Sequence, residues 1–181
     1  GVAGSGPARW SLVAYRAKVD DEIDFDVRTF SYANIGESRH TGLELQGDTT
    51  WGRFSPSISY VLSHVTEAGS DRQLKNVPRH RLSFAAGVEL PWTFHVYARF
   101  EHSVGAFLDD ENAVRTSTPS TMDLRVRRPF GRHALFVDVF NVTADQYEEY
   151  GFTLRDFANN LVPYVYPSAP RAVRAGLTLA F

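Results

Sequence analysis

With 181 residues, 22% of them charged, and a formal net charge of −2, the chain lacks the basic excess of a nucleic-acid binder. It has no cysteine, which excludes a disulfide framework, thiolate metal ligands and a cysteine nucleophile. Nowhere does it approach the roughly 18 consecutive apolar residues of a membrane-spanning helix, and its 13% aromatic content, mostly Phe and Tyr, suits pleated surfaces.

In chain order, residues 1–6 read as the tail of an earlier strand. Gly1, with no Met and no leader-like segment at the start, leads us to expect a piece of a longer exported protein. A strand is predicted over 10–26, its phase left open by Leu12 and Val13, and another over 37–50. In 54–66, Phe54, Ile58, Tyr60 and Leu62 alternate with Ser55, Ser57 and Ser59. In 79–90, Leu82, Phe84, Ala86, Val88 and Leu90 alternate with Arg81, Ser83, Ala85, Gly87 and Glu89. In 93–105, Phe94, Val96, Ala98 and Phe100 oppose His95, Tyr97, Arg99 and Glu101. In 118–128, Met122, Leu124 and Val126 oppose Asp123, Arg125 and Arg127, and 132–141 follows as a further strand. Segment 143–150 could form one helical turn. The final strand, 171–181, puts Val173, Ala175, Leu177, Leu179 and Phe181 on one side.

The connections alternate in length. Trp51-Gly52-Arg53, Pro91-Trp92 and Pro129-Phe130-Gly131 are short, whereas 67–78, 106–117 and 142–170 are long. Alternating short turns and long loops mark a barrel whose two rims face different compartments. A strand of about 11 residues, tilted by about 40°, spans roughly 28 Å, enough for the apolar band of such a barrel. The apolar faces carry no Asp, Glu, Lys or Arg between strand ends; only His64, His80 and His102 interrupt them, near the long-loop rim. Trp10, Trp51 and Trp92 all fall at the short-turn rim, with Phe130 and Phe181, as an interfacial aromatic belt requires. The predicted fold is therefore all-β: an antiparallel transmembrane β-barrel segment of about eight strands.

Three passages resemble TonB-dependent outer-membrane receptors: Tyr32-Ala33-Asn34-Ile35-Gly36 with Gly42-Leu43-Glu44; Val137-Asp138-Val139-Phe140-Asn141-Val142 running to Asp145-Gln146-Tyr147; and Tyr166-Pro167, Pro170-Arg171 and a strand ending in Phe181. Thr143 and Ala144 depart from the family's usual Phe and Asp, and Ala169-Pro170 from its Pro-Gly. The resemblance implies that residues 1–181 are the C-terminal part of a 22-stranded barrel, with the plug domain and earlier strands lying outside this chain. It implies an outer-membrane receptor for TonB-energised uptake of a scarce nutrient, an iron–siderophore complex foremost, in the bacterial outer membrane. Its partners would be outer-membrane lipid and lipopolysaccharide, the TonB complex through an N-terminal part not in this chain, a small-molecule chelate, and the barrel-assembly machinery, which would read Phe181, Leu179 and Leu177. A self-contained eight-stranded barrel, structural or adhesin-like and without a transport role, is the alternative; it requires the first strand to pair with the last.

Candidate ligand contacts are Tyr147, Tyr150, Tyr164 and Tyr166 in the loop 142–170, which also carries Phe152, Phe157, Glu148, Glu149 and Asp156. Aromatic loops suit flat organic chelates, although the same rings could simply cover the barrel mouth. Asp109-Asp110-Glu111 offers oxygen ligands to a divalent cation, or a solvated loop tip. The inward residues Arg81, Arg99, Glu89, Glu101, Asp123, Arg125 and Arg127 are expected to form ion pairs with the lumen or the plug. No Ser/His/Asp set shares a loop and the six His lack metal-ligand spacing, so neither catalytic residues, a metal site nor a cofactor is assigned and the chain is not read as an enzyme.

Overall fold

The structure, a computed structural model, describes residues 2–3, 8–26 and 29–180. Its strands are β1 (Val2–Ala3), β2 (Ala8–Asp26), β3 (Ser31–Thr49), β4 (Phe54–Glu67), β5 (His80–Leu90), β6 (Phe94–Val104), β7 (Ser120–Phe130), β8 (His133–Phe140), β9 (Glu148–Arg155), β10 (Leu161–Pro167) and β11 (Ala172–Thr178). Nine of them form one antiparallel sheet in the order β1-β2-β3-β4-β5-β6-β7-β8-β11, and β9 and β10 form a separate hairpin. Among the described residues the sheet is open, with β1 and β11 as its edges. The first-to-last pairing that a self-contained eight-stranded barrel needs is not formed.

Register turns the alternation into two chemically distinct faces. One row runs Ala86–Ala98–Leu124–Val139–Val173 across five strands, each residue opposite the next. The neighbouring row, on the other face, runs Gly87–Tyr97–Arg125–Asp138–Arg174. The phase of β2 is settled by its pairs: Trp10 opposite Gly47 and Leu12 opposite Leu45 share the apolar face, whereas Val13 lies opposite Glu44. Buried hydrophobic residues number only Val65, Ala85, Ala106, Leu108 and Ala134 among those described, while Leu12, Phe84, Leu135 and Val173 stay exposed. A nine-stranded sheet with so small a core and a continuous uncovered apolar face is matched to lipid, since a soluble fold would leave that face in water.

Four elements differ from the sequence expectation; the first is β3, which begins at Ser31, six residues before the expected start at 37. The suggested helical turn at 143–150 is absent, because β9 begins at Glu148. The long connection 142–170 is instead built around the hairpin β9–β10, turned by Asp156–Asn160, where Asp156 accepts hydrogen bonds from the backbone N–H of Ala158 and Asn160. Pro163, which obscures a strand reading, is tolerated because β10 is an edge strand. The third short turn moves to Gly131-Arg132, since β7 runs on through Phe130. Phe181 lies outside the described residues; Leu177 is on the exposed outer face of β11 and Leu179 is exposed just beyond it.

Candidate ligand face on the loop side

Local sequence first closes the strands. Asn34, at the β2–β3 end, accepts a hydrogen bond from the Gly36 N–H (2.7 Å) and donates to Asp21 (2.9 Å), fixing a bulge in which Gly36 takes a positive φ of 87°. At the end of β8, Asn141 accepts from the Thr143 hydroxyl (3.0 Å) and the Asp145 N–H (3.2 Å), and donates to the Asp145 carbonyl (2.9 Å). Arg171 returns the chain to β11 by donating to the carbonyl of Val142 at 2.7 Å. Two of the quoted motifs are thus loop closures.

The loops above the sheet are then joined to one another. The side chain of Lys75, only 4% exposed, sits between Asp24 of β2 and Asp110, the latter at 2.8 Å. Burial pushes its pKa down, but the hydrogen bonds to Asp110 and Asp24 outweigh that and leave it above the ordinary lysine value. Asn76 pairs with the backbone of Gly151 in both directions, at 2.8 and 3.2 Å. The Asn112 side chain pairs with the Gln73 backbone in both directions, accepting from its N–H at 2.7 Å and donating to its carbonyl at 2.8 Å, and Arg155 donates to both carboxylate oxygens of Glu111 at 2.6 and 2.7 Å.

These links also occupy the acidic triplet. Asp109 is buried and accepts from the N–H groups of Glu111, Ala113 and Val114, Asp110 is committed to Lys75 and Glu111 to Arg155. Each carboxylate of the triplet thus has a partner in this chain, with Asp109 buried and Asp110 and Glu111 exposed.

The hairpin brings the predicted tyrosines together, with one exception. Tyr150, Phe152 and Leu154 of β9 share a face with Tyr166, Tyr164 and Val162 of β10, directly opposite them. Phe152 and Tyr164 stack at 5.8 Å with an interplanar angle of 14°, and Tyr150 and Tyr166 lie 6.1 Å apart. The reverse face packs inward: Gly151 and Thr153 are buried, and a Cβ on Gly151 would come within 2.9 Å of Leu108. Here a side chain is excluded by the docking itself. Tyr147 stands apart, half-buried beside a cavity of about 310 Å3 that also meets Arg81 and Glu101. Burial, aided by the charge of Glu149, raises its phenol pKa. A larger cavity of about 820 Å3 lies between the β2–β3 end, Lys75 and Asp110, and Arg155 and Leu161 of the hairpin.

On the inward face Asp138 is the residue that the sequence reading missed as a partner. Its side chain, 2% exposed, receives Arg125 (2.6 and 3.1 Å) and Arg174 (3.0 and 2.5 Å), and Arg174 also lies over Phe136 and Phe140. Of the other inward residues, Arg99 pairs with Glu101 at 2.6 Å and Asp123 accepts the Asn141 N–H at 2.8 Å. A Ser–His–acid cluster that sequence reasoning did not find also forms: Ser38 contacts His40 Nε2 at 2.9 Å and also Glu22. Glu22 approaches the same ring nitrogen at 3.4 Å and Ser38 is fully buried, so the cluster lacks the relay geometry and access of a nucleophile.

Comparison with known proteins points one way. The family model described as TonB dependent receptor-like, beta-barrel, matches residues 3–142. Similar solved structures include the ferric yersiniabactin uptake receptor FyuA from Yersinia pestis (TM-score 0.78, 14% identity, 97% of this chain and 28% of that one). The siderophore receptor PiuA from Acinetobacter baumannii (0.72, 17%, 94% and 26%) and the copper transporter OprC (0.71, 17%, 97% and 28%) are similar as well. The chain spans between about a quarter and three-tenths of the length of these proteins, 26% to 28%.

Proposed function

Because the chain belongs to the TonB-dependent receptor β-barrel family, whose members are outer-membrane proteins, we propose that it is the C-terminal part of a receptor that takes up an iron–siderophore complex with energy supplied through TonB. On this reading a plug domain, the TonB contact and the earlier strands belong to a longer polypeptide, and the barrel-assembly machinery inserts the whole. The function is binding and translocation, without covalent chemistry.

The observation that carries the ligand class is the aromatic face of β9–β10. Tyr150, Phe152, Tyr164 and Tyr166 offer ring faces held at stacking distances on a hairpin whose other side is pinned to neighbouring loops. A prearranged aromatic surface favours a flat, ring-bearing chelate, because little conformational freedom is lost on binding. The likeness to receptors described for siderophores supports the same class, and the likeness to a copper transporter sets the rival to be tested.

Two measurements test this. The native polypeptide in the outer-membrane fraction should have an intact mass several times the 20.3 kDa of this chain; a mass near that value would replace the receptor with a small structural barrel. In the full-length receptor, the double change Tyr164→Ala, Tyr166→Ala should weaken binding of an aromatic ferric chelate by about tenfold or more, by loss of stacking. Unchanged affinity for the chelate, or selective binding of copper ions, would sink the siderophore assignment.

A further inference from the structure

The chain is close to neutral, at −2, but its charges are sorted. The inward wall carries cations: Arg125 and Arg174 share the one carboxylate of Asp138, and Arg127 lies opposite His95. The mouth carries acids. Asp24, Glu67 and the triplet Asp109 to Glu111 line the cavity of about 820 Å3 together with Arg72, Lys75 and Arg155. In the smaller cavity beside Tyr147, Glu148 and Glu149 meet Arg81, while Glu101 is already taken by Arg99. The hairpin β9–β10 enters both linings, through Arg155 and Leu161 in the one and Glu148 and Glu149 in the other. Its aromatic face therefore stands in the field of both.

Holding the loops together uses only part of this charge. Lys75 offsets one of the two carboxylates that it bridges, and Arg155 offsets Glu111. Other carboxylates meet neutral donors, which fill their lone pairs and leave the charge in place. Asp109 is held by backbone N–H groups, Glu67 by the Ser70 hydroxyl at 2.7 Å, and Glu148 by Ser117. Glu149 is exposed and meets no cation among the described residues. The Tyr147 phenol feels the result. After burial, the groups that raise its pKa are Glu149, Glu101, Asp145 and Asp123, all of them acids.

We propose that the mouth selects its chelate by charge: the ligand carries a protonated amine at its periphery, and chelates of net negative charge are turned away. A negative potential concentrates positive ligands at the entrance and depletes negative ones. The aromatic face makes the same choice at contact range, since the ring faces of Tyr150 and Tyr166 attract a cationic arm. Neither feature would favour a carboxylate-bearing chelate of the same size. The inference rests on the reading of β9–β10 as the face that binds a ring-bearing ferric chelate, and it names the charge class within that reading.

The test measures binding of ferric tris-hydroxypyridinone chelates to the full-length receptor. Their ring system is kept constant and the arm is a free amine, its acetylated form or its succinylated form, so that only the charge changes from positive through neutral to negative. At low salt the wild type should bind the amine form about tenfold more tightly than the succinylated form, and the span should shrink towards parity at about 0.5 M salt. The double change Glu67→Gln, Glu149→Gln keeps the side-chain shapes and should narrow the span by about threefold; an undiminished span would overturn the assignment to these carboxylates. Equal affinity for the three forms, or preference for the succinylated one, with binding still lost in the Tyr164→Ala, Tyr166→Ala variant, would overturn the charge selection alone. Binding of no form, or binding indifferent to that variant, would overturn the underlying ligand-face reading and this inference with it.

Discussion

The two rims of the sheet are built by different means. At the short-turn rim the chain reverses within a few residues, at Trp51-Gly52-Arg53, Pro91–Thr93 and Gly131-Arg132, by local backbone geometry that is left-handed at Gly52, Trp92, Thr93 and Gly131. Gly52 and Gly131 adopt positive φ of 59° and 57° without steric cost. At the loop rim, order comes from a handful of polar contacts between segments far apart in sequence: Lys75 with Asp24 and Asp110, Asn76 with Gly151, and Arg155 with Glu111. The contrast teaches that one barrel segment can fix its base by local turns and its mouth by long-range polar contacts, so that the two rims should respond differently to substitution.

The largest expected effect is at the loop rim. Lys75→Ala leaves Asp110 and the partly buried Asp24 facing each other without their shared cation, and should loosen the loops by about 2 kcal/mol, the worth of charge-assisted hydrogen bonds. In the full-length receptor, hydrogen exchange should accelerate at Leu74, Asn76 and Leu108 while the amides of β5–β6 keep their protection. Acceleration that spreads to those strands would show the mouth and the base to be one cooperative unit.

The same link has a pH signature. Because the pKa of Lys75 is raised in the folded state, its stabilisation is fully present below the ordinary lysine value and fades as pH climbs through the higher, folded value. Glu148 acts at the other limit. The Ser117 hydroxyl, helped by the Ser117 N–H, holds its pKa below the ordinary carboxylate range, so its contribution is present above that range and is lost as pH falls through the lowered value. Loop protection should therefore be flat across neutral pH and decline only towards the strongly acidic and strongly alkaline ends. A sharp transition near neutrality would contradict this picture.

Smaller effects belong to the base. A Cβ at Gly47 would stand 2.3 Å from the Trp10 ring, so Gly47→Ala must displace that ring from its strand and should cost about 1 kcal/mol in a denaturant titration of the receptor in lipid. No change would mean that Trp10 moves freely and does not anchor the rim. Smallest is Trp92→Gly. Relief of a left-handed backbone (φ 58°) offsets loss of an interfacial ring, for a net change within about 0.5 kcal/mol. A loss well beyond that would assign the rim's stability to ring anchoring.

What the sequence determined by itself is the pleat and its two solvents. Alternation is a property of neighbouring residues, so the strands around 54–66, 79–90, 93–105 and 118–128, the apolar outer face and the short-turn rim could all be read from it. Even the tyrosines were visible as a group. The hairpin β9–β10 carried the same signal in Tyr150, Phe152 and Leu154, but the acidic pair before it and Pro163 after it masked its length. Only tertiary structure could place Tyr150, Tyr164 and Tyr166 on one face, leave Tyr147 elsewhere, and give the acidic triplet to Lys75 and Arg155. Those partners lie 35, 44 and 75 residues apart, as Lys75–Asp110, Glu111–Arg155 and Asn76–Gly151, and no local pattern encodes a contact that chain folding brings about at such separations.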